Sequence, residues 1–341
     1  MRASRQILQK PRKTIAQHGV KLRTNPVSET KGFPMRRSFS TVFLAAGASL
    51  LASTAIASDA TPLVDTGWLT ANLANDSVVV LDIRNVSDEA DPFVQGHIPG
   101  SVAAAYNQVG WRTEIDGTIG LLPELDDIQV LIESLGVDND EHVVIAPVGA
   151  SSSDFGAATR VYWTFKVLGH DNVSILDGGY AAWTRDGGSL STDATSVEPG
   201  TFEVALRDEL LATSDEVASA IDAGLTLVDG RPEAQFTGAE KSGVVARAGT
   251  LPGAVNLEQA RLYSTDDAAY ASADLVETIA AEVGVDTAEP AITFCNTGHW
   301  ASVVWFGLSE VAGQENVAMY DGSMVQWAAD PARPVVNGAL N

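Results

Sequence analysis

Ala291-Ile-Thr-Phe-Cys-Asn-Thr-Gly-His-Trp-Ala-Ser302 is the stretch whose reading decides the fold. Its first four residues are apolar and β-prone, and the run breaks at Cys295, the only cysteine in the chain. Five residues follow, one of them Gly298, before Ala301–Gly313 opens a helix-like pattern that is apolar nearly all round. A strand, a tight loop and a buried helix in that order aim backbone N–H groups and the positive end of a helix dipole at the first loop residue. A thiol placed there is favoured as a thiolate and is expected to be a nucleophile. The competing reading is a small buried core cysteine, a common fate of free cysteines.

Working outward, the chain reads as two copies of one pattern. Val78–Arg84 is a predicted strand ending in Asp-x-Arg, followed by the turn Gly96-His-Ile-Pro-Gly100. A helix over Ile128–Leu135, a buried strand His142–Ala146, a helix Arg160–Leu168 and a strand Val173–Leu176 follow, closed by Asp177-Gly-Gly and Trp183. The second half repeats the order: Leu225–Arg231 with Asp-x-Arg, Gly249-Thr-Leu-Pro-Gly253, a helix Leu275–Val283 and the strand Ala291–Phe294. It continues with a buried helix Trp305–Val311 and Val317–Tyr320, closed by Asp321-Gly and Trp327. The offset settles at 144 residues, Asp177 against Asp321 and Trp183 against Trp327. Short apolar strands alternating with helices imply an α/β fold, each half a parallel sheet flanked by helices. A repeat this detailed reads as tandem duplication. The expected boundaries are 62–189, a Ser/Thr/Asp/Glu-rich linker at 190–209, and 210–330. In the first half, Ala146–Gly156 has no cysteine and is read as a longer loop before its helix. That half is therefore expected to pack and to line a cleft between domains, with Ser151, Ser153 and Asp154 as candidates to face the cysteine loop.

Met35–Ala57 has a basic start, an apolar middle and a small-x-small end at Ala55-Ile-Ala57, the signature of a secretory signal. Residues 1–34 ahead of it read either as an over-extended start or as a genuine extension. Removal of 1–57 from a chain of net charge −23 leaves 11 basic against 43 acidic residues, a formal charge of −32. Such a surface repels nucleic acid and anionic membrane. Only two lysines remain, Lys166 and Lys241, which predicts a chain at ease in high salt, where screening relieves self-repulsion. A lone cysteine in an exported protein has no internal partner and favours a functional role. The five histidines show no ligand spacing, so no metal or other cofactor is expected.

These motifs resemble those of the rhodanese family in its tandem-domain sulfurtransferase form. The likeness rests on Asp-x-Arg, Gly-His-Ile-Pro-Gly, a cysteine opening a six-residue loop, and the Asp-Gly-Gly-x-x-x-Trp close, running from about Pro62 to Trp327. It implies two tandem rhodanese-like domains, the first inactive and the second catalytic, with a persulfide intermediate on Cys295. It further implies a small-molecule sulfur donor, thiosulfate or 3-mercaptopyruvate, and cyanide or a small thiol as acceptor. The loop Cys295-Asn-Thr-Gly-His-Trp300 departs from the thiosulfate-type Cys-Arg-Lys-Gly-Val-Thr and the mercaptopyruvate-type Cys-Gly-Ser-Gly-Val-Thr. A second arginine that often follows Asp-x-Arg four residues on is Gln235 here.

Sulfur transfer needs a thiolate, a cradle for a persulfide and a cation for an anionic donor. Cys295 supplies the first, and the amides of Asn296, Thr297, Gly298, His299 and Trp300 are candidates for the second. Gly298 can take the positive φ that a ring of N–H donors requires, or can be an ordinary turn glycine. Arg231 and Arg247 are the candidate cations. Arg231 can equally form a structural ion pair with Asp229, as its counterpart Arg84 suggests. His299 is a candidate for thiolate stabilisation, proton transfer or donor binding, or a loop histidine. Trp300 can wall the pocket or pack beside Trp305. Two other functions compete with sulfur transfer. Cysteine-dependent phosphatases need an arginine after a Cys-x5 loop, and position 301 is alanine, with Arg333 the next arginine downstream. A non-catalytic module carrying or sensing sulfane sulfur through Cys295 is the other.

Overall fold

The computed structural model describes residues 60–339; the secretory signal read at 35–57 lies outside them. Two five-stranded, wholly parallel sheets form the frame. The first holds β1 (Leu63–Val64), β2 (Val78–Asp82), β3 (Val102–Ala103), β6 (His142–Ala146) and β7 (Val173–Leu176), in the order β1-β7-β6-β2-β3. Between β3 and β6 the chain makes a small hairpin, β4 (Thr113–Ile115) and β5 (Thr118–Leu121). The second sheet repeats this order as β8-β14-β13-β9-β10, from β8 (Leu211–Ala212), β9 (Thr226–Asp229), β10 (Val255–Asn256), β13 (Ala291–Phe294) and β14 (Val317–Tyr320). Its hairpin is β11 (Tyr263–Ser264) with β12 (Ala269–Tyr270). Strands β6, β7 and β13 are buried on both faces over nearly their whole length, which is why they read as unbroken apolar runs.

Helices α1 (Thr66–Asn72), α2 (Pro92–Gln95), α3 (Leu125–Ser134), α4 (Ser152–Val167) and α5 (Gly179–Arg185) flank the first sheet. Helices α6 (Ser214–Ala223), α7 (Glu233–Phe236), α8 (Ala273–Glu282), α9 (His299–Trp305) and α10 (Ser323–Trp327) flank the second. The two halves meet where α4 lies against α9. Phe155, Val161, Tyr162, Val303, Val304 and Phe306 are all buried in one apolar cluster there. At roughly 1.5–3 kcal/mol per large apolar side chain removed from water, this seam outweighs any exposed ion pair. The segment 190–209 is not a free tether: Phe202 is buried against Phe165 and His170, and Ala205 and Arg207 donate to the Leu168 and Val167 carbonyls.

Two sequence expectations need correction. The first-half helix starts at Ser152, not Arg160, so the loop after β6 is 147–151 and nearly as short as the cysteine loop. Its start is set by Ser151, whose side chain accepts from the Asp154 N–H, while the Asp154 carboxylate accepts from the N–H groups of Val148, Gly149 and Ala150. The second-half helix starts at His299 and widens into a π-helical turn over Phe306–Val311. The cause is Tyr270, whose hydroxyl donates to the Val303 carbonyl at 2.6 Å and lies against Gly307, inserting itself into the helical ladder.

Candidate active site

Cys295 is the first residue after β13 and lies at the carboxyl edge of the second sheet, where parallel sheets hold their ligands. Its loop is stapled from below. The N–H groups of Cys295 and Gly298 both donate to Ser323 Oγ at 3.1 Å, and that hydroxyl donates to the Tyr320 carbonyl at 2.8 Å. The N–H groups of Met324 and Val325 donate to the carbonyls of Cys295 and Asn296 at 3.1 and 2.9 Å. With carbonyls tied down, the amides of Asn296, Thr297, His299 and Trp300 donate to no protein acceptor among the described residues. Unpaired amides in a loop that opens on a thiol are able to hold a negative charge.

Gly298 has φ +75°, and a Cβ there would come within 2.5 Å of Arg160 Nη1 and 2.7 Å of Asp321 Oδ1. Only glycine fits both the turn and this close approach. The Arg160–Asp321 ion pair under it is buried and joins the two halves, since Arg160 belongs to α4 and Asp321 follows β14. The Leu122 N–H, just past the first-half hairpin, donates to Asp321 Oδ2 at 2.7 Å. Arg160 also lies over the Trp163 ring at 4.6 Å, a cation–π contact that offsets part of its desolvation.

The first domain closes the site from above. Tyr106 Oη lies 3.0 Å from His299 Nδ1, and His299 Nε2 lies 2.8 Å from the Ser153 carbonyl. A carbonyl can only accept, so Nε2 carries the hydrogen and Nδ1 accepts from the Tyr106 hydroxyl. Burial and then the nearby Arg112 charge push the His299 pKa down to about 4, so the ring is neutral near pH 7. Burial pushes Tyr106 up, with Arg112 opposing, so its hydroxyl keeps its proton. Trp300 Nε1 donates to Ser153 Oγ at 3.1 Å. Arg112 donates through Nε to the Gly120 carbonyl at 2.9 Å and through Nη2 to the Thr297 carbonyl. On the other side, Asn296 Nδ2 donates to Gln235 Oε1 at 2.8 Å.

These groups enclose a cavity of about 290 Å³. Cys295, Asn296, Thr297, His299 and Trp300 line it from the second domain, with Ser242 and Val244 from the loop after α7. Tyr106, Arg112 and Ser153 line it from the first. A larger cavity of about 690 Å³, between Leu121, Leu125, Leu211 and Arg333, does not reach the thiol.

Five of the sequence candidates thus converge with Cys295: Asn296, Thr297 and Gly298 in the loop, and His299 and Trp300 at the start of α9. The two candidate cations do not. Arg231 is fully buried, with Nη2 donating to Asp229 Oδ2 at 2.6 Å and to the Gly249 carbonyl at 2.8 Å. Arg84 repeats this with Asp82 and the Gly96 carbonyl. Asp-x-Arg therefore clamps a strand end to the following turn, and Nε and Nη2 of this buried guanidinium are committed to that clamp rather than to the cavity of the thiol. Arg247 donates to the carbonyls of Trp327, Ala328, Asp330 and Arg333, capping the end of α10. Residues that sequence reasoning missed are Tyr106, Arg112, Arg160 and Ser323. The available signal was Ile115-Asp-Gly-Thr118: Asp116 and Gly117, at φ +51° and +80°, make the two-residue hairpin turn that carries Arg112 to the site.

Comparison with known proteins agrees with this architecture. The family profile described as a rhodanese-like domain matches residues 65–186 and again 213–330. The chain belongs to the rhodanese family. A Haloferax volcanii protein provisionally named a thiosulfate sulfurtransferase is 32% identical over 293 residues, covering 81% of this chain and 96% of the relative. One from Saccharopolyspora erythraea, named likewise, is 29% identical over 283 residues, covering 81% and 96%. The crystal structure of SseA from Escherichia coli, described as a 3-mercaptopyruvate sulfurtransferase with the rhodanese fold, superposes with a TM-score of 0.66 at 27% identity, covering 77% of this chain and 99% of that one. This rhodanese is a sulfurtransferase of two tandem α/β domains, of which the second carries the thiol.

Proposed function

We propose that this rhodanese is an exported enzyme that moves sulfane sulfur from thiosulfate to cyanide or a small thiol through a persulfide on Cys295. The observation that carries the reading is the set of four amides, Asn296, Thr297, His299 and Trp300, that follow the only cysteine and donate to no protein acceptor among the described residues. In the first half-reaction the Cys295 thiolate attacks the outer sulfur of thiosulfate. A new S–S bond forms, and the donor S–S bond breaks with its electron pair leaving on sulfite. In the second, cyanide or a thiolate attacks the outer persulfide sulfur and Cys295 leaves as thiolate. Neither step needs an oxidant or a metal. The cradle holds the outer sulfur's partial negative charge, while the neutral His299 and the indole of Trp300 exclude water from a reactive intermediate.

A second reading, 3-mercaptopyruvate as donor, is favoured by the loop itself, since Asn296–Trp300 holds no lysine or arginine for a dianion. The likeness to the Escherichia coli enzyme points the same way. A third, a carrier or sensor of sulfane sulfur, would load once and not turn over. Incubation with each donor, followed by intact mass measurement, is expected to add one sulfur to the wild type and none to Cys295→Ala. Repeated turnover with cyanide then separates enzyme from carrier. No added sulfur from either donor would sink the proposal. Export rests on Met35–Ala57, and N-terminal sequencing of the protein recovered outside the cytoplasm tests it.

A further inference from the structure

Anionic donors need a cation, and neither the cysteine loop nor the Asp-x-Arg motif of this chain offers one. We infer that Arg112, carried by the thiol-less first domain, binds the anionic group of the sulfur donor, which makes that domain an obligate part of the active site. The inference rests on the sulfurtransfer reading.

Among the described residues Arg112 is the sole lysine or arginine lining the Cys295 cavity, and no aspartate or glutamate lines it. Its hydrogen-bond partners include two carbonyl oxygens, those of Gly120 and Thr297, and no carboxylate. The other arginines of the neighbourhood do not line the cavity. Arg84, Arg160 and Arg231 pair with Asp82, Asp321 and Asp229, Arg160 keeping Nε and Nη2 buried without a partner, and Arg247 donates to four carbonyls. Arg112 thus makes no ion pair among the described residues, and its charge, together with that of Arg160, acts on both Tyr106 and His299. A lone cation in a recessed, partly apolar cavity concentrates field on an incoming anion.

The hairpin is built around this guanidinium. Gly120 has φ +87°, and a Cβ there would come within 2.0 Å of Arg112 Nη2 and 3.2 Å of the Thr297 Cβ. The β4–β5 register slips between Thr113 and Glu114, the residues next to Arg112, and such a bulge re-aims the side chains beside it. On the opposite wall, Gln235 and Asn296 form a neutral amide pair, and Asn296 Oδ1 is buried without a partner. The cation thus comes from across the domain interface.

The test uses the intact protein with Arg112→Gln and Arg112→Lys. Removing a charge-assisted contact is expected to lower kcat/KM for thiosulfate and for 3-mercaptopyruvate by about tenfold to a hundredfold, mainly through KM, with partial recovery in Arg112→Lys. The discriminating readout is alkylation of Cys295 by anionic iodoacetate against neutral iodoacetamide. A donor-binding cation predicts that the iodoacetate-to-iodoacetamide rate ratio falls about tenfold in Arg112→Gln. A purely structural role, through the Thr297 carbonyl, would slow both reagents alike, and that result would overturn the inference. An unchanged ratio in Arg112→Gln, where the wild type does load sulfur, brings down the role of Arg112 alone, whereas a wild type that loads from neither donor brings down the functional reading itself.

Discussion

His299 both packs against the first domain and lines the cavity of the thiol. Its two ring nitrogens are committed, to Tyr106 and to the Ser153 carbonyl, and acceptance at Nδ1 from the Tyr106 hydroxyl requires the neutral ring. Its folded pKa of about 4 lies below the ordinary histidine value of 6.5. Above about pH 6.5 neither the folded nor the unfolded chain protonates it, so its contribution is complete. Between 6.5 and 4 the unfolded chain takes up a proton that the folded one refuses, and stability falls with pH. A single such group costs at most about 1.4 kcal/mol per pH unit in that window. His142, pushed down to about 4 chiefly by burial and then by His170, adds to the same slope. Urea unfolding at a series of pH values should show a plateau above neutrality and a decline below it, with a shallower decline in His299→Gln. An identical acid slope in that variant would mean the imidazole is not held neutral.

Among the elements, each half lends its hairpin to the other. The β4–β5 hairpin reaches the cysteine loop through Arg112, and the Leu122 N–H following it finds Asp321. Reciprocally, Tyr263 donates to the Gly149 carbonyl and the Tyr270 N–H donates to Asp177 Oδ1, in the thiol-less half. Asp177 and Asp321 are repeat partners, so the two closing Asp-Gly motifs serve as docking points for opposite hairpins. Tyr270 continues into α9, where its hydroxyl forces the π-turn, and a Cβ on Gly307 would come within 2.6 Å of that oxygen. Gly307→Ala should therefore destabilise the protein by about 1–3 kcal/mol. In a Tyr270→Phe background the same change should be nearly neutral, because the clashing oxygen is gone and the helix can close regular hydrogen bonds. A double-mutant cycle by chemical denaturation measures the coupling; additive effects would show that the tyrosine is not the cause of the wide turn.

At the scale of the whole molecule, charge sets the conditions under which these contacts operate. With a net charge of −23, long-range self-repulsion opposes the compact state. The exposed pairs that salt would weaken, such as Arg261–Glu282 and Arg333–Asp215, are worth about 0–1 kcal/mol each. The α4–α9 seam and the buried Arg160–Asp321 pair are hardly screened. Raising salt from about 0.01 M to 1 M, which shortens the screening length from roughly 30 Å to 3 Å, should therefore raise Tm. Calorimetry across that range checks it, and a Tm that fell with salt would show local ion pairs outweighing net repulsion.

Local chemistry alone settled much of this. Continuous apolar runs gave His142–Ala146, Val173–Leu176, Ala291–Phe294 and Val317–Tyr320 their strand limits, since a strand buried on both faces needs no partner to be recognised. The 144-residue offset revealed the duplication, and the unique Cys295 before Gly298 marked the loop that carries the thiol. The start of α4 was missed because Ser151 and Asp154 act as caps through contacts that read as ordinary loop composition. What only the tertiary structure decided was which cation faces the thiol. Asp-x-Arg looks like a binding arginine until its side chain is seen committed to Asp229, while Arg112 lies 183 residues from Cys295 with no motif around it beyond an Asp-Gly turn. Sequence periodicity records which face of an element is buried. It does not record which hairpin of one domain lies over which loop of the other, and in this protein that placement assembles the site.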